Sequence, residues 1–339
     1  RDDRHVRYGL GAIKGTGEAA VLNILEARDQ GGPFTDLFDF CERIDRRQVN
    51  KRAIEALVRA GAFDALDEDR AKLLANVGRA CEEAERKAQS AAAGQSALFG
   101  DVFETVGDGP ATIAREWVDA PRWDETRRLL EEKAALGFYL SGHLFSPHEA
   151  ELRRFVKTRL SDLPRLVESE RGAINCVVAG VIVSIQATMT RRGRMMRVVL
   201  DDRTASQELA VFAEQFEQNR ALLKEDSVIV VHARLSKDEY SGGFRFSAER
   251  LVDRESARAE HARRLRLRMN GESDARKLAG LLGGFRGDRA RLPVEIEYHN
   301  GDAVVAIRLG PEWAVTPEDA LLTQLRDWLT ADGVMIDYR

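Results

Sequence analysis

Between residues 173 and 253 the chain drops helical spacing and alternates apolar with polar side chains, and this constrains its fold more than any other feature. CVVAGVIVSI, RMMRVVLDD, QELAVFA, SVIVVHARL and FRFSAERL read as five strands. One helix-like piece, EQFEQNRALLK, falls between the third and the fourth. Residues 1 to about 160 are helical by contrast, with an irregular interruption at roughly 94–122 that carries Gly94, Gly100, Gly107, Gly109, Pro110 and Pro121. The last block, 254–339, reads strand (RRLRLRM), helix (SDARKLAGLLGGF), strand (PVEIEYH), strand (AVVAIRLG), helix (PEDALLTQLRDWLT), strand (GVMIDY). Asn300-Gly301 between two alternating runs signals a hairpin. The expected architecture is multidomain α+β: a helical region, a five-stranded barrel, and a small βαββαβ domain.

Five strands with a helix after the third is the order of an OB-fold, which binds single strands through its strand 2–3 face and its 1–2 and 4–5 loops. The 1–2 loop, ATMTRRGRM, carries Arg191, Arg192 and Arg194, and the 4–5 loop, SKDEYSGGF, carries Lys237, Tyr240 and Phe244. Cations beside aromatics are what stacking on unpaired bases requires. Phe212 and Phe246 are read as core. The segment holds eleven basic and eleven acidic residues, so a nucleic-acid face depends on loop placement or the barrel serves a protein partner. A net charge of −4 over 339 residues says the same of the whole chain: phosphate must be met by local patches.

Near the start, VRYGLGAIKGTGEAAVLNILEAR reads as two helices joined by a tight turn. Ile13 closes the first, Lys14, Gly15, Thr16 and Gly17 form the turn, and Glu18 opens the second. Such a turn brings free helix N–H groups and a lysine to one phosphate. This is the helix-hairpin-helix arrangement, which grips the DNA backbone without reading sequence; a Gly-containing helix corner is the plain alternative. A second basic cluster, Arg46, Arg47, Lys51 and Arg52, crowds a helix start that Asn50 can cap. A solvated basic face explains it equally well.

Catalytic chemistry is not visible. No P-loop, GxSxG or Lys-x-Asp-Gly motif occurs. Asp201-Asp202 reads as a turn between strands, and His143 and His148 lack a third ligand at metal spacing. Three cysteines, Cys41, Cys81 and Cys176, show no metal or disulfide spacing and suggest a reduced, cytoplasmic setting. No apolar run is long enough to span a membrane. RDDRHVRYG is no signal peptide, and the missing initiator Met suggests a piece of something longer. On these residues the chain binds rather than catalyses.

YGLGAIKGTGEAAVLNILEAR, FTDLFDFCERID, NKRAIEALVRAGAFD, EKAALGFYLSGH and LDDRTASQELAVF, in that order, resemble the alpha subunits of bacterial replicative DNA polymerase III. The resemblance covers essentially the whole chain and implies a C-terminal portion. Leu144 departs from the Pro that commonly follows SGH in the family. The resemblance places the catalytic palm, with its Mg2+ ions, upstream, so no catalytic residue, metal or other cofactor is carried over. It implies DNA as partner, both primer-template duplex and single-stranded template. It also implies the beta sliding clamp, the clamp-loader tau subunit and other holoenzyme subunits, without a membrane. A short family motif similar to Gln-x-x-Leu-Phe plugs into the clamp, and here it falls on Gln95, Ser96, Ala97, Leu98 and Phe99. Burying two large apolar side chains is worth ~1.5–3 kcal/mol each.

The expected divisions are therefore a helix-hairpin-helix region at 1–93, a linker with the clamp motif at 94–122, a helical connector at 123–170, an OB-fold at 171–253 and a tau-contacting domain at 254–339. Trp313 and Trp328, in EWAVTPEDALLTQLRDWL, are its natural anchors. A ligase or nuclease with the same modules would need an active-site lysine motif or an acidic metal cluster. An error-prone paralogue of the polymerase would lack GQSALFG.

Overall fold

The computed structural model describes residues 8–92, 117–169, 172–190, 193–238, 243–287 and 291–339. The clamp motif at Gln95, Leu98 and Phe99, with Arg191, Arg192 and Tyr240, lies outside them. The chain divides into two units, 1–143 and 144–339.

The first unit is helical: α1 (Glu18–Gly31), α2 (Leu37–Arg43), α3 (Lys51–Arg59), α4 (Arg70–Ala92) and α5 (Glu125–Leu136). Side-chain caps set three of the starts. Asp36 accepts from the Asp39 N–H, Asn50 from that of Ala53, and Asp124 from that of Arg127. α5 stops at Gly137, whose φ of 94° is left-handed. The apolar faces meet in one core of Phe38, Phe40, Ile54, Leu57, Leu73 and Val77, and Phe40 packs edge-to-face on Phe34 and Phe63.

The hairpin differs from expectation in its first arm. Among the described residues that arm is a single 3-10 turn, Leu10–Ala12, flanked by Gly9 and containing Gly11. Glycine disfavours a regular helix here, and the Lys14 N–H goes to the Ala135 carbonyl at 2.9 Å instead of to a preceding turn.

The second unit begins with two short helices, α6 (Ser146–Leu152) and α7 (Leu163–Ser169), so the helices between 123 and 170 are shared between the units. β1 (Ile174–Thr190), β2 (Gly193–Asp201), β3 (Ser206–Phe212), α8 (Ala213–Gln218), β4 (Val228–Lys237) and β5 (Phe244–Asp253) follow. The strands close a barrel in the order β1-β2-β3-β5-β4. β1 serves two partners: Ile174–Val181 pairs with β4, and Val181–Thr190 with β2. At the changeover stands Gly180, where an added Cβ would lie 3.0 Å from the Asp201 carbonyl oxygen, a tight contact that the backbone there would have to relax to admit. Val178, Ile182, Val198, Leu209, Val231 and Phe246 fill the interior.

A helix that periodicity did not reveal, α9 (Arg254–His261), leads out of the barrel. Then come β6 (Ala262–Asn270), α10 (Ala275–Gly283), β7 (Val294–Asn300), β8 (Ala303–Arg308), α11 (Asp319–Leu329) and β9 (Val334–Tyr338), the expected βαββαβ order. The sheet runs β8-β7-β6-β9, with β6 and β7 parallel and the other pairs antiparallel. The hairpin turns at Gly301-Asp302, directly after Asn300, which pairs with Ala303, and Gly301 stands at φ 57°. Leu278, Leu282, Leu321, Leu322 and Leu325 of the helices pack on Leu265, Leu267 and Ile336 of the sheet. Trp313 and Trp328 also pack, partly buried, against this core, beneath Arg286 and Lys277. Their rings are therefore largely engaged within their own domain.

Candidate nucleic-acid interface

The turn at 14–17 is built to leave the start of α1 open. Gly15 takes a left-handed φ of 84°, which a side chain would resist. The Thr16 N–H donates to the Ile13 carbonyl at 3.0 Å. α1 then starts after Gly17, which offers no side chain to cap it; the Val21 N–H closes the first helical turn onto the Gly17 carbonyl. The N–H groups of the first turn thus face out without a side-chain cap, at the positive end of a fourteen-residue helix. Lys14 is exposed beside them. Thr16 is 5% exposed, and its Oγ1 has no hydrogen-bond partner. An anion such as a backbone phosphate matches these donors.

The second basic cluster shares this scaffold. Asn23 of α1 accepts the Asp45 N–H at 2.8 Å, tying the loop before α3 to the helix behind the turn. Its four cations do not form one free patch. Arg46 is half-buried; it donates to the Cys81 carbonyl at 2.6 Å and pairs with Glu85, so the fold uses it. Arg47 is exposed and pairs with Asp45 at 3.2 Å. Lys51 and Arg52 are exposed on the first turn of α3.

On the barrel, Arg194 is exposed on β2 and Lys237 is exposed at the end of β4, opposite Phe244. Phe244 is half-buried against the barrel core, which limits it as a stacking surface. The two core assignments separate. Phe246 is buried at 3%, but Phe212 is 45% exposed, which corrects its reading as core. Strand parity gives the reason: Leu209 and Val211 point into the barrel, so Phe212 points out. It lies opposite Met195, which lies opposite Thr188, and two rows further along, on the same face, Gln186, Arg197 and Ala210 align. Arg197 pairs with Glu208 at 2.9 Å, and Arg245 of β5 with Asp238 at 2.9 Å. The strand 2–3 face thus presents an aromatic ring with guanidinium groups on the strands around it. Alternation alone carried the signal for Phe212.

The acidic and imidazole groups are structural. Asp202 is fully buried; it accepts from Arg153 at 2.7 Å, from the Leu160 N–H, and from Thr204. Burial alone would raise its pKa, but these donors outweigh that and hold it below the ordinary carboxylate value. Asp201 accepts from the Arg203 N–H and Ser206, completing the expected turn. His143 packs edge-on to Tyr139. His148 lies within α6, and burial and the Arg254 charge lower its pKa. Among the described residues no group of three His, Cys, Asp or Glu side chains could hold a metal ion. No helix among them is long and apolar enough to cross a membrane.

Known proteins give this geometry its context. Residues 1–73 match the helix-hairpin-helix motif family, residues 176–253 the OB-fold nucleic acid binding domain, and residues 286–329 the DNA polymerase III subunit alpha, C-terminal domain. DNA polymerase III subunit alpha of Neisseria meningitidis serogroup A is 38% identical over 339 residues, 99% of this chain and 28% of the relative. That of Pseudomonas aeruginosa is 37% identical over 357 residues, 100% and 30%. That of Escherichia coli K12 is 34% identical over 341 residues, 99% and 29%. The chain spans less than a third of the length of these relatives. It belongs to the family of bacterial DNA polymerase III alpha subunits and carries that family's C-terminal domain.

Proposed function

We propose that this chain is the DNA-positioning and clamp-tethering portion of a replicative polymerase, working in the cytoplasm on primer-template DNA. The duplex backbone binds at the uncapped start of α1, with Lys14, Gly15, Thr16 and Gly17 around one phosphate and Arg47, Lys51 and Arg52 alongside. Single-stranded template crosses the barrel on Phe212, Arg194 and Lys237, with the loop residues Arg191, Arg192 and Tyr240. Gln95, Leu98 and Phe99 hold the sliding clamp, and the C-terminal domain meets the clamp-loader tau subunit. The supporting observation is that the helix-hairpin-helix, OB-fold and C-terminal modules follow in order within one continuous likeness to alpha subunits. None of the contacts needs sequence readout: phosphate contacts position the protein and stacking tolerates every base.

The division of labour follows from magnitudes. A two-side-chain plug is weak alone, on the order of micromolar. Tethering polymerase and clamp to one DNA raises the effective concentration and makes the weak contact persistent. Surface plasmon resonance on immobilised sliding clamp tests the tether, with the wild-type chain against Leu98→Ala/Phe99→Ala. Micromolar binding lost in the double variant supports it. Equal binding by both chains, or by neither, overturns the tether and leaves DNA positioning to be judged by duplex binding.

A further inference from the structure

β8 is an end strand of the C-terminal sheet, and all six of its residues are exposed. Val304, Val305 and Ile307 keep 56%, 54% and 44% of their surface in solvent. The opposite edge is treated differently. There, Arg154 donates to the Ile336 carbonyl of β9 at 3.1 Å, and the Tyr338 hydroxyl donates to Glu151 at 2.7 Å. Monomeric proteins blunt a bare edge with lysine, proline or a bulge. Between Ala303 and Ile307 this strand has none of them.

The hydrogen-bond phase of the bare edge can be read from its neighbour. The Leu309 N–H donates to the Val294 carbonyl at 3.0 Å, and Ile307, Val305 and Ala303 lie opposite Ile296, Tyr298 and Asn300. In an antiparallel ladder the bonding side alternates. The backbone groups of Ala303, Val305 and Ile307 therefore point to β7, and those of Val304, Ala306 and Arg308 point to the side where no described strand pairs with β8.

We propose that this edge pairs with β8 of a second copy of the chain, antiparallel, about a two-fold axis through Val305. The segment from Asp302 to Arg308 is complementary to itself in that register. Asp302 faces Arg308 of the second copy at both ends, Ala303 faces Ile307, Val304 faces Ala306, and Val305 faces its own counterpart. Val304 and Ala306 both direct backbone groups outward, so the ladder bonds form. The alternatives centred on Val304 and on Ala306 also satisfy the backbone, but the first sets Asp302 against Ala306, and the second sets Asp302 against Gly310 and Val304 against Arg308. Charge selects the register through Val305. Asp302 is exposed with no ion pair among the described residues, and Arg308 is exposed with its nearest carboxylate, Glu295, 3.9 Å away. An isologous two-fold contact closes on itself, so the product is a dimer and not a fibre. The interface is small and the dimer correspondingly weak.

Sedimentation equilibrium of the 339-residue chain from about 5 to 500 µM tests this, a range set by the size of the contact. The wild type dimerises with rising concentration. Val305→Lys, which places like charges on the axis, abolishes dimerisation while circular dichroism stays unchanged. Asp302→Arg and Arg308→Asp each weaken it about tenfold. The double variant restores it, and so does an equimolar mixture of the two single variants, which regains Arg–Asp pairing at both ends. A wild-type chain that stays monomeric overturns the proposal, as an edge reserved for another protein would require. So does a dimer indifferent to Val305→Lys, or a double variant no stronger than the singles.

Discussion

Arg70 and Glu132, sixty-two positions apart in sequence, meet at 2.8 Å inside the N-terminal unit. Glu132 is fully buried, and its second oxygen accepts the N–H groups of Leu140 and Ser141, each at 2.9 Å. Arg70 also makes a two-pronged contact with Asp64. One carboxylate thus joins α4, α5 and the turn that leads to His143. Removing it leaves a buried guanidinium half-paired and two N–H groups without acceptors. Glu132→Ala is expected to destabilise this unit by about 3 kcal/mol, within the usual cost of breaking a buried pair. Urea unfolding followed by helical circular dichroism measures it.

Acid should act through the same kind of group. Burial opposes the charge on Glu132, Glu151 and Asp202, but hydrogen bonds and neighbouring arginines prevail, and all three sit below their ordinary carboxylate values. A carboxyl depressed in the folded state stabilises fully above its unfolded pKa, about 4. That stability is lost as pH falls through the folded value. Unfolding free energies should therefore decline modestly from pH 7 to about 5, where the histidines held below their ordinary value, His148 and His232, protonate first in the unfolded chain, and fall steeply below about 4. Glu132→Gln, with one titrating group fewer, should show a shallower acid slope. An identical slope in both chains contradicts the assignment.

Much of this was legible in the sequence, for reasons that differ by element. The barrel and the βαββαβ domain follow from period-two alternation, because one buried face forces it. Asn50 and Asn300-Gly301 announce a cap and a turn by local chemistry alone. Apolar spacing predicts a helix for the first arm of the hairpin, but it does not register how far Gly9 and Gly11 weaken one. Arg46 looked like a free cation because its partners, the Cys81 carbonyl and Glu85, lie on α4, more than thirty residues on. Phe212 looked like core because it is aromatic; its parity with Leu209 and Val211 said otherwise.

Lys14 is expected to act as a point charge at the start of α1. Lys14→Ala should weaken duplex binding by a similar factor on any sequence and lower the salt slope by about one charge. Fluorescence anisotropy against salt concentration on two unrelated primer-templates reads both quantities. Gly15→Ala should reproduce the loss without changing the slope, because it distorts a left-handed turn and removes no charge. A Lys14→Ala chain with an unchanged slope would place the phosphate elsewhere.

Phe212 offers the sharpest separation of fold from function. Its ring is 45% exposed at the end of β3, so truncation removes little from the barrel core. Phe246, buried at 3% on β5, is the internal control. Phe212→Ala should leave thermal stability within about 0.5 kcal/mol, as a surface change does. It should weaken binding of an unpaired oligonucleotide by about 1–3 kcal/mol, the worth of one stacked base. Phe212→Trp should keep or strengthen binding, since a larger ring stacks at least as well. Phe246→Ala should cost about 3–5 kcal/mol of stability through the cavity it leaves, and any loss of binding there should track unfolding. Anisotropy with a fluorescent oligonucleotide, read beside a thermal melt of each variant, tells the two residues apart. If Phe212→Ala binds like the wild type, single strands do not cross this face, and the barrel's partner must be sought among proteins.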